Sequence, residues 1–500
     1  MNLYLLISSL LVITAVLSTR ATQRFGLPAL VLFVMIGMLA GSSGPGGIVF
    51  DDYALSLEVG LIALAIILFS GGLDTRMRLF RASLAPALSL ATLGVVVTMG
   101  VIGVAAWLLT PLGLLESLLL GAVLAPTDAA ATFSVVKGRG IPARLRGVLE
   151  TESGTNDPVS IYLTVALTTV LISGQANGLN LVAGVVAQLA LGGALGYLWG
   201  IALVWLLNHV KLGSFGLYPL LALACGLLAY SATNLVGGNG FLAIYLMGLV
   251  VGNRRVPHRR NLTYFMEGLA WGAQIVMFLL LGLLVFPAQL PGILPVALLL
   301  TLVLIVAARP LAVVICLDTI QRLTHHHSFS WQEYALLSGA GLKGAVPIIL
   351  AIFPLLNQVD NGNAIFNIVF VVVVVSTTVQ GLAIGPLAKR LGLLKKEPPE
   401  SPLRIELGGV APPGSAVLDV FLEPDTRAVG QPLRALRLPQ DVIIAAIYRG
   451  GQLITPRGEV VFRAGDHVFV ITRDVDKIGI PAAFRAKRLA GDAPPEMSDA

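Results

Sequence analysis

The chain has 500 residues, of which 56% are hydrophobic and only 12% charged, with a mean hydropathy of +0.86. Long apolar runs recur along it, which makes it a polytopic helical membrane protein. The net charge of +6 comes from short Arg-rich loops and does not suggest a nucleic-acid partner, and the two cysteines, Cys225 and Cys316, lie in apolar spans with neither a disulfide framework nor metal-ligand spacing.

The apolar runs fall near 3–19, 27–43, 57–73, 84–108, 115–136, 147–173, 180–207, 216–236, 240–252, 264–286, 291–317, 332–354 and 363–387. No basic segment precedes the first, so it reads as a membrane span and not a cleaved signal peptide. The ninth is short, and Gly237-Gly238-Asn239-Gly240 before it either extends or breaks it. If each run crosses once there are 13 spans. Charge tests that count, because Lys and Arg concentrate in cytoplasmic loops. Every second loop carries them: Arg20/Arg24, Arg76/Arg78/Arg81, Lys137/Arg139/Arg144/Arg146, Lys211, Arg254/Arg255/Arg259/Arg260, Arg322 and Lys389/Arg390/Lys395/Lys396. The intervening loops hold Asp51 and Asp52, Asp360, or no charge. The alternation predicts a periplasmic N-terminus and a cytoplasmic C-terminus.

An odd span count allows two six-span units of opposite orientation around a linker span. The fifth spans of the two units then correspond, and both are interrupted, by Ala125-Pro126-Thr127-Asp128 and by Gly339-Ala340-Gly341-Leu342-Lys343-Gly344. Paired interruptions of this kind point to a transporter's ion site. The sixth span opens on Glu150-Thr151-Glu152-Ser153-Gly154-Thr155-Asn156-Asp157-Pro158. A carboxylate at the centre of a spanning helix costs about 2.5–3.5 kcal/mol on insertion scales, so such a residue reads first as part of an ion or proton pathway. A helix beginning near Arg146-Gly147 places Asp157 about 15 Å along its axis, near mid-membrane. Glu150 reads instead as a solvated residue at the helix entrance.

The polar sites inside the spans are therefore Thr127-Asp128, Glu152, Asn156-Asp157 and Lys343. One base and three acids cannot all stay charged and unpaired in low dielectric. The natural division lets Lys343 neutralise one acid and leaves Asp157, Asp128 and Thr127 facing a water-filled cavity. A hard monovalent cation takes oxygen ligands, and Thr127, Asp128 and the carbonyls freed near Pro126 offer them. In low dielectric a carboxyl favours its neutral form, so one such group holds either a proton or a cation, never both. With Asn156 in place of a second acid, one positive charge neutralises the site in each direction, which favours electroneutral exchange. Each pH unit of gradient then drives about 1.4 kcal/mol. Arg309-Pro310 lies deep enough to be a structural partner for an acid or carbonyl, or a gate. Asp74 and Glu267 sit near span ends, Gly216 and Gly282 read as helix-packing residues, and His325-His326-His327 reads as a solvated loop.

Beyond about residue 400 the composition changes. A polar, Pro-rich linker (391–403) leads to β-like runs at Val417–Leu422, Val442–Tyr448, Gln452–Ile454, Val460–Phe462 and His467–Ile471, with Gly450-Gly451 as a hairpin turn. This predicts a small α+β cytoplasmic domain over 404–475, plausible as a dimer at that size, and a disordered tail over 482–500.

Five stretches carry a resemblance: Phe69-Ser70-Gly71-Gly72-Leu73, Ala125-Pro126-Thr127-Asp128, Glu152 through Pro158, Gly341-Leu342-Lys343-Gly344-Ala345-Val346-Pro347 and Val379-Gln380-Gly381. In this order and in these spans the sequence resembles the monovalent cation:proton antiporters of the NhaP/NHE branch. The resemblance implies an all-α membrane domain (1–390) of 13 helices in two inverted repeats, with a dimerisation half and a core that moves as an elevator. It implies that Asp157 binds the ion and the proton, with Thr127, Asp128, Asn156 and Ser153 around it, and that Glu152 pairs with the basic residue at Lys343, where the family usually has Arg. Residues 404–475 resemble a TrkA-C (RCK-C) regulatory domain through Gly430-Gln431-Pro432-Leu433, Ile447-Tyr448-Arg449-Gly450-Gly451, Ile454-Thr455-Pro456-Arg457-Gly458 and Ala464-Gly465-Asp466. The combination looks like the NhaP-type K⁺/H⁺ antiporters.

The expected function is thus electroneutral exchange of cytoplasmic K⁺, with Na⁺ as a second substrate, for external H⁺ by a homodimer in the lipid of a bacterial inner membrane. No cofactor is expected, apart from a regulatory nucleotide or other small ligand on the C-terminal domain. A Na⁺(Li⁺)/H⁺ antiporter of the same fold is the alternative. A potassium channel would want a Thr-Val-Gly-Tyr-Gly filter, which the sequence lacks, and gives no reason for Asp157. An intramembrane zinc peptidase would want His-Glu-x-x-His, also lacking. A sensor that no longer transports gives no reason for four charged residues inside the membrane.

Overall fold

The computed structural model describes residues 2–25, 28–42, 44–128, 141–174, 178–324, 329–394, 416–436, 438–439, 442–472 and 484. The chain divides into two compact units, 1–395 and 396–500.

The first unit is helical: α1 (Asn2–Phe25), α2 (Ala29–Ala40), α3 (Tyr53–Asp74), α4 (Met77–Ser89), α5 (Val95–Leu109), α6 (Leu114–Leu124), α7 (Ala143–Ser173), α8 (Gly178–His209), α9 (Leu217–Leu235), α10 (Gly240–Gly252), α11 (Arg259–Leu283), α12 (Leu294–Val303), α13 (Arg309–Thr324), α14 (Trp331–Gly339), α15 (Ala345–Leu356) and α16 (Gly362–Arg390). Each apolar run of the sequence carries helix. Among the described residues, seven stretches are long and apolar enough by themselves to cross a membrane. The others are short for identifiable reasons. Helix α10 is buried almost all round and is started by Asn239, whose side chain accepts from Leu242 N, so the Gly-rich segment breaks the ninth run and does not extend it. Helices α6 and α14 stop at the two interruptions, and α15 starts where the second ends. The His325–His327 triplet and Lys137/Arg139 lie outside the described residues.

Packing sorts the helices into two bundles. In one, α2 and α3 pack on α11, and α10 packs on α3, α8 and α9, with α1 on α2. The α2–α11 crossing is close because a Cβ on Gly282 would meet the Val34 carbonyl. In the other bundle, α7 is surrounded by α4, α5, α6, α14 and α15, and α16 packs on α12, α14 and α15. The core bundle repeats one pattern twice: a helix with a π-turn, a broken helix, a continuous helix. The π-turns, Leu90–Gly94 between α4 and α5 and Leu304–Ala308 between α12 and α13, each pack against the helix of the other repeat. Beside them Ser89 Oγ donates to the Cys316 carbonyl and Cys316 Sγ to that of Ser89, both at 3.3 Å.

Helix α7 starts at Ala143, about a turn before the expected Arg146-Gly147, with Pro142 as its N-cap. Asp157 thus lies at the middle of a 31-residue helix. All residues from Thr151 to Ser160 are buried, whereas the half beyond Ile161 is partly open.

The second unit contains a four-stranded antiparallel sheet in the order β1-β4-β2-β3, with β1 Ala416–Phe421, β2 Val442–Arg449, β3 Gln452–Ile454 and β4 His467–Thr472. The turn at Gly450-Gly451 uses φ of +53° and +91°, which L-residues rarely adopt. Val460–Phe462 is not a strand; Val461 makes a single bridge to Pro432. Ile447, Phe462, Val468 and Val470 form the core, and Phe484, within the expected tail, packs against Phe462. Arg449 Nε and Nη2 bind the fully buried Asp466 carboxylate at 2.7 Å each, and these bonds hold the guanidinium above its ordinary pKa.

Candidate cation and proton site

The two chain breaks meet beside the middle of α7. The Asp128 backbone N–H donates to the Leu342 carbonyl at 2.8 Å, joining one extended segment to the other. Lys343, 2% exposed, sends its Nζ to the carbonyls of Ala125 and Pro126 at 2.8 and 2.9 Å. These are carbonyls left open where α6 ends, at the negative end of its dipole. The reciprocal arrangement holds at α15: the half-buried Asp128 carboxylate lies against Gly344, the residue capping that helix's N-terminus, where a Cβ would overlap it. Each break thus has a side chain of sign opposite to the helix end it faces. Thr377 of α16 fixes the segment by donating to the Lys343 carbonyl at 2.5 Å.

Above this crossing lie the polar residues of α7. Asn156 Nδ2 donates to Thr127 Oγ1 at 2.7 Å, and Thr127 Oγ1 and Ser153 Oγ share a hydrogen bond of 2.9 Å. Asn156 Oδ1 and Asp157 Oδ1 are buried and have no hydrogen-bond partner among the described residues. The charged groups that face Asp157 are Asp128 and Lys343. The fold therefore brings together Thr127, Asp128, Ser153, Asn156, Asp157 and Lys343. It leaves two acceptor oxygens, one from a carboxyl and one from an amide, turned to neither protein nor bulk solvent.

The pairing of Glu152 differs from the sequence expectation. Its carboxylate is held by Arg309 through both guanidinium nitrogens, Nη1 to Oε1 and Nη2 to Oε2 at 2.9 Å, and Arg309 Nη2 also reaches the Leu337 carbonyl at 3.3 Å. Lys343 makes no ion pair with Glu152. The reason is geometric: the π-turn over Leu304–Ala308 re-phases the helix so that Arg309 points inward, and Gly341 leaves room for its side chain. Arg309 is a structural partner for an acid, and its fork suits a carboxylate better than a lysine would. Glu150 is bonded by Arg146 at 3.4 Å and is mostly covered, with 18% of its side chain exposed.

Access to the site is unequal. A cavity of about 950 Å³ is lined by Ile161, Tyr162, Gln188, Tyr230, Asn239 and Phe353 among others. These α7 residues belong to its second half, so the cavity lies toward the end away from the arginine loops. It reaches Asn239, whose Nδ2 donates to the Pro158 carbonyl at 3.4 Å, one residue past Asp157. Toward the arginine-rich end, the Tyr245 ring of α10 lies flat on Gly154, where a Cβ would come within 2.8 Å of it. Nothing in the local sequence marked Tyr245; a lone tyrosine in an apolar run is usually core.

Comparison with known proteins identifies the family. The model of the family described as sodium/hydrogen exchanger, transmembrane, matches residues 8–390, and the TrkA-C domain model matches 417–476. The K(+)/H(+) antiporter NhaP2 of Shewanella sp. (strain MR-4) is 41% identical over 478 residues, covering 95% of this chain and 82% of that protein. The K(+)/H(+) antiporter NhaP of Alkalimonas amylolytica is 40% identical over 482 residues, with the same two coverages of 95% and 82%. The Na(+)/H(+) antiporter ApNhaP of Aphanothece halophytica is 29% identical over 405 residues, 78% of this chain and 75% of that protein. Among solved structures, the sodium proton antiporter MjNhaP1 from Methanocaldococcus jannaschii at pH 8 superposes with a TM-score of 0.65 over 78% of this chain and 99% of that one, at 22% identity, a likeness of fold. The chain is a multi-pass membrane protein that belongs to the sodium/hydrogen exchanger family of cation/proton antiporters.

Proposed function

We propose that the protein exchanges cytoplasmic K⁺ for external H⁺, with Na⁺ as a second substrate, by competition of the two ions for Asp157. The observation that carries this reading is the pair of buried, unpartnered oxygens on Asn156 and Asp157 beside the Thr127–Ser153 hydroxyls. A hard cation takes oxygen ligands, and a carboxylate with a neutral amide beside it presents one negative charge. A proton or a monovalent cation neutralises that charge equally well. Reorientation of the neutralised site alone then yields electroneutral, one-for-one exchange. The K⁺ preference is supported by the names of the two relatives that cover 95% of the chain.

The two-bundle architecture supports an elevator cycle, in which the bundle around α7 carries Asp157 past the bundle of α2, α3, α10 and α11. The cavity beside α7 is then the external approach, and Tyr245 on Gly154 closes the internal one. The positive-inside pattern supports an inner-membrane location with an external N-terminus, and the lipid-exposed residues of α1 and α8 offer surface for a homodimer. The TrkA-C domain acts as the cytoplasmic regulator, with a nucleotide or other small molecule as its ligand.

The test uses everted vesicles from cells lacking their own antiporters, with a pH-sensitive dye and Asp157→Asn in parallel. Proton efflux on adding K⁺, lost in the variant, is the expected result. Efflux with Na⁺ or Li⁺ alone would move the substrate but keep the mechanism, whereas wild-type exchange by Asp157→Asn would refute it.

A further inference from the structure

Helix α7 carries a line of buried hydroxyls that the exchange site does not use. Ser160, Thr164 and Thr168 follow Asp157 at intervals of three, four and four residues. At 100° per residue the four side chains fall within about 80° of arc, on one face of the helix. They are 0%, 0%, 3% and, for Asp157, 3% exposed. Ser160 Oγ, Thr164 Oγ1, Thr168 Oγ1 and Asp157 Oδ1 have no hydrogen-bond partner among the described residues.

That is unusual for helical hydroxyls, which ordinarily bond back to a carbonyl one turn earlier. On this same helix Thr155 does so to the Thr151 carbonyl at 2.6 Å, and Thr169 to that of Val165 at 2.9 Å. Thr151, the one other buried unpartnered hydroxyl among the described residues of α7, lies on the far side of the helix and ahead of Asp157. The stripe also faces away from the cavity, whose α7 lining is Ile161, Tyr162, Val165, Ala166, Thr169 and Val170. Helix α6, packed on α7, adds Ser117, fully buried and likewise unpartnered.

A buried hydroxyl without a partner is unfavourable, and protein interiors relieve such groups with internal water where two to four polar atoms converge. We infer that water bridges the stripe into a hydrogen-bonded chain and that this chain delivers protons to Asp157 by a route separate from the cation's cavity. The chain runs about 16 Å from Asp157 to Thr168 at the helical rise. It ends near the exposed Ile172 and Ser173. Along it each oxygen takes one proton on one side and releases another on the next, and the last O–H bond breaks as Asp157 Oδ1–H forms. One proton moves and nothing is oxidised or reduced. The inference rests on the exchange role of Asp157 proposed above.

Two transport modes of the full-length protein in liposomes separate the routes: K⁺-driven proton movement, read by an internal pH dye, and exchange of radiolabelled rubidium for K⁺ with no proton gradient. Thr164→Val and Ser160→Ala are expected to lose proton-coupled exchange several-fold, and D₂O is expected to slow the remaining proton-coupled rate more than it slows wild type. Rubidium/K⁺ exchange stays at the wild-type rate, and Thr164→Ser restores proton coupling. Unchanged proton-coupled rates in both variants overturn the inference. So does an equal loss of both modes that Thr164→Ser fails to restore, because that marks packing and not proton transfer. Asp157→Asn loses both modes; if it keeps them, the exchange-site reading fails and the inference with it.

Discussion

The Arg309–Glu152 pair offers the sharpest test of how charge is distributed in the core. Arg309 is 5% and Glu152 1% exposed, and two parallel bonds join them. Replacing Glu152 by Ala strands a guanidinium in low dielectric with only the Leu337 carbonyl as an acceptor. Breaking a buried pair in this way costs about 3–5 kcal/mol, while exchanging both partners for apolar residues of similar volume is close to neutral. At about 2.1 cal/mol/K of unfolding entropy per residue, that cost lowers the melting temperature of the 1–395 unit by about 4–6 °C. The assay is thermal unfolding in detergent of Glu152→Ala, Glu152→Leu, Arg309→Met, Lys343→Met and the two double variants Glu152→Leu with Arg309→Met and Glu152→Leu with Lys343→Met. Each single change at 152 or 309 is expected to destabilise, and the double change at both to recover most of the loss. Coupling between 152 and 343 exceeding that between 152 and 309 in such a cycle would refute the pairing.

Gly344→Ala should suppress exchange more strongly than stability, because a Cβ there overlaps the Asp128 carboxylate; wild-type exchange by this variant would show that Asp128 need not lie at the α15 N-terminus. Lys343→Met should lower folded yield, since two buried carbonyls lose their donor at about 1–3 kcal/mol, and equal yield to wild type would contradict that role. Arg449→Ala should unfold the C-terminal unit at lower temperature, as Asp466 is fully buried and keeps only the Arg463 N–H of the bonds described; an unchanged transition would remove the pair from that core. Truncation after Lys396 should alter regulation of exchange and leave the K⁺/Na⁺ preference intact, read in the same vesicles, and a changed preference would tie selectivity to the TrkA-C domain.

The helical runs, the two breaks and most of the strand positions are legible because they rest on local signals. An apolar run, a Pro or Gly interruption and a Gly-Gly turn act within a few residues of themselves. The Asn239 cap was half legible: Gly237-Gly238-Asn239-Gly240 marked an irregularity, but whether it breaks a helix depends on α10 being enclosed by neighbours. Charge pairing was only partly legible: the depth of Arg309 marked it as a partner for an acid, but not for which one. Glu152 can reach several bases from sequence alone, and what selects Arg309 is a π-turn that rotates it inward. No residue pattern over Leu304–Ala308 announces such a turn, because it arises from packing against the first repeat. Tyr245 on Gly154 was hidden for a similar reason, since it joins residues far apart in the chain through the crossing of α10 with α7.

Taken together, the pairings separate fixed charges from the one that can exchange. Glu152 and Arg309 cancel each other and are bonded on both sides, so neither is available to an ion without breaking two hydrogen bonds. Lys343 and Asp128 sit at helix ends of opposite polarity, where each side chain offsets a dipole of roughly half a charge. Their charges stabilise the crossing of the two breaks, and removing either would expose carbonyls or amides that the other cannot satisfy. Asp157 differs from all four, having an oxygen that no group among the described residues engages. A site in which every other charge is already matched responds to proton or cation at this single carboxyl. Under the proposed mechanism that is why one-for-one exchange follows from neutralising Asp157, with no need for a second carboxylate to change its charge.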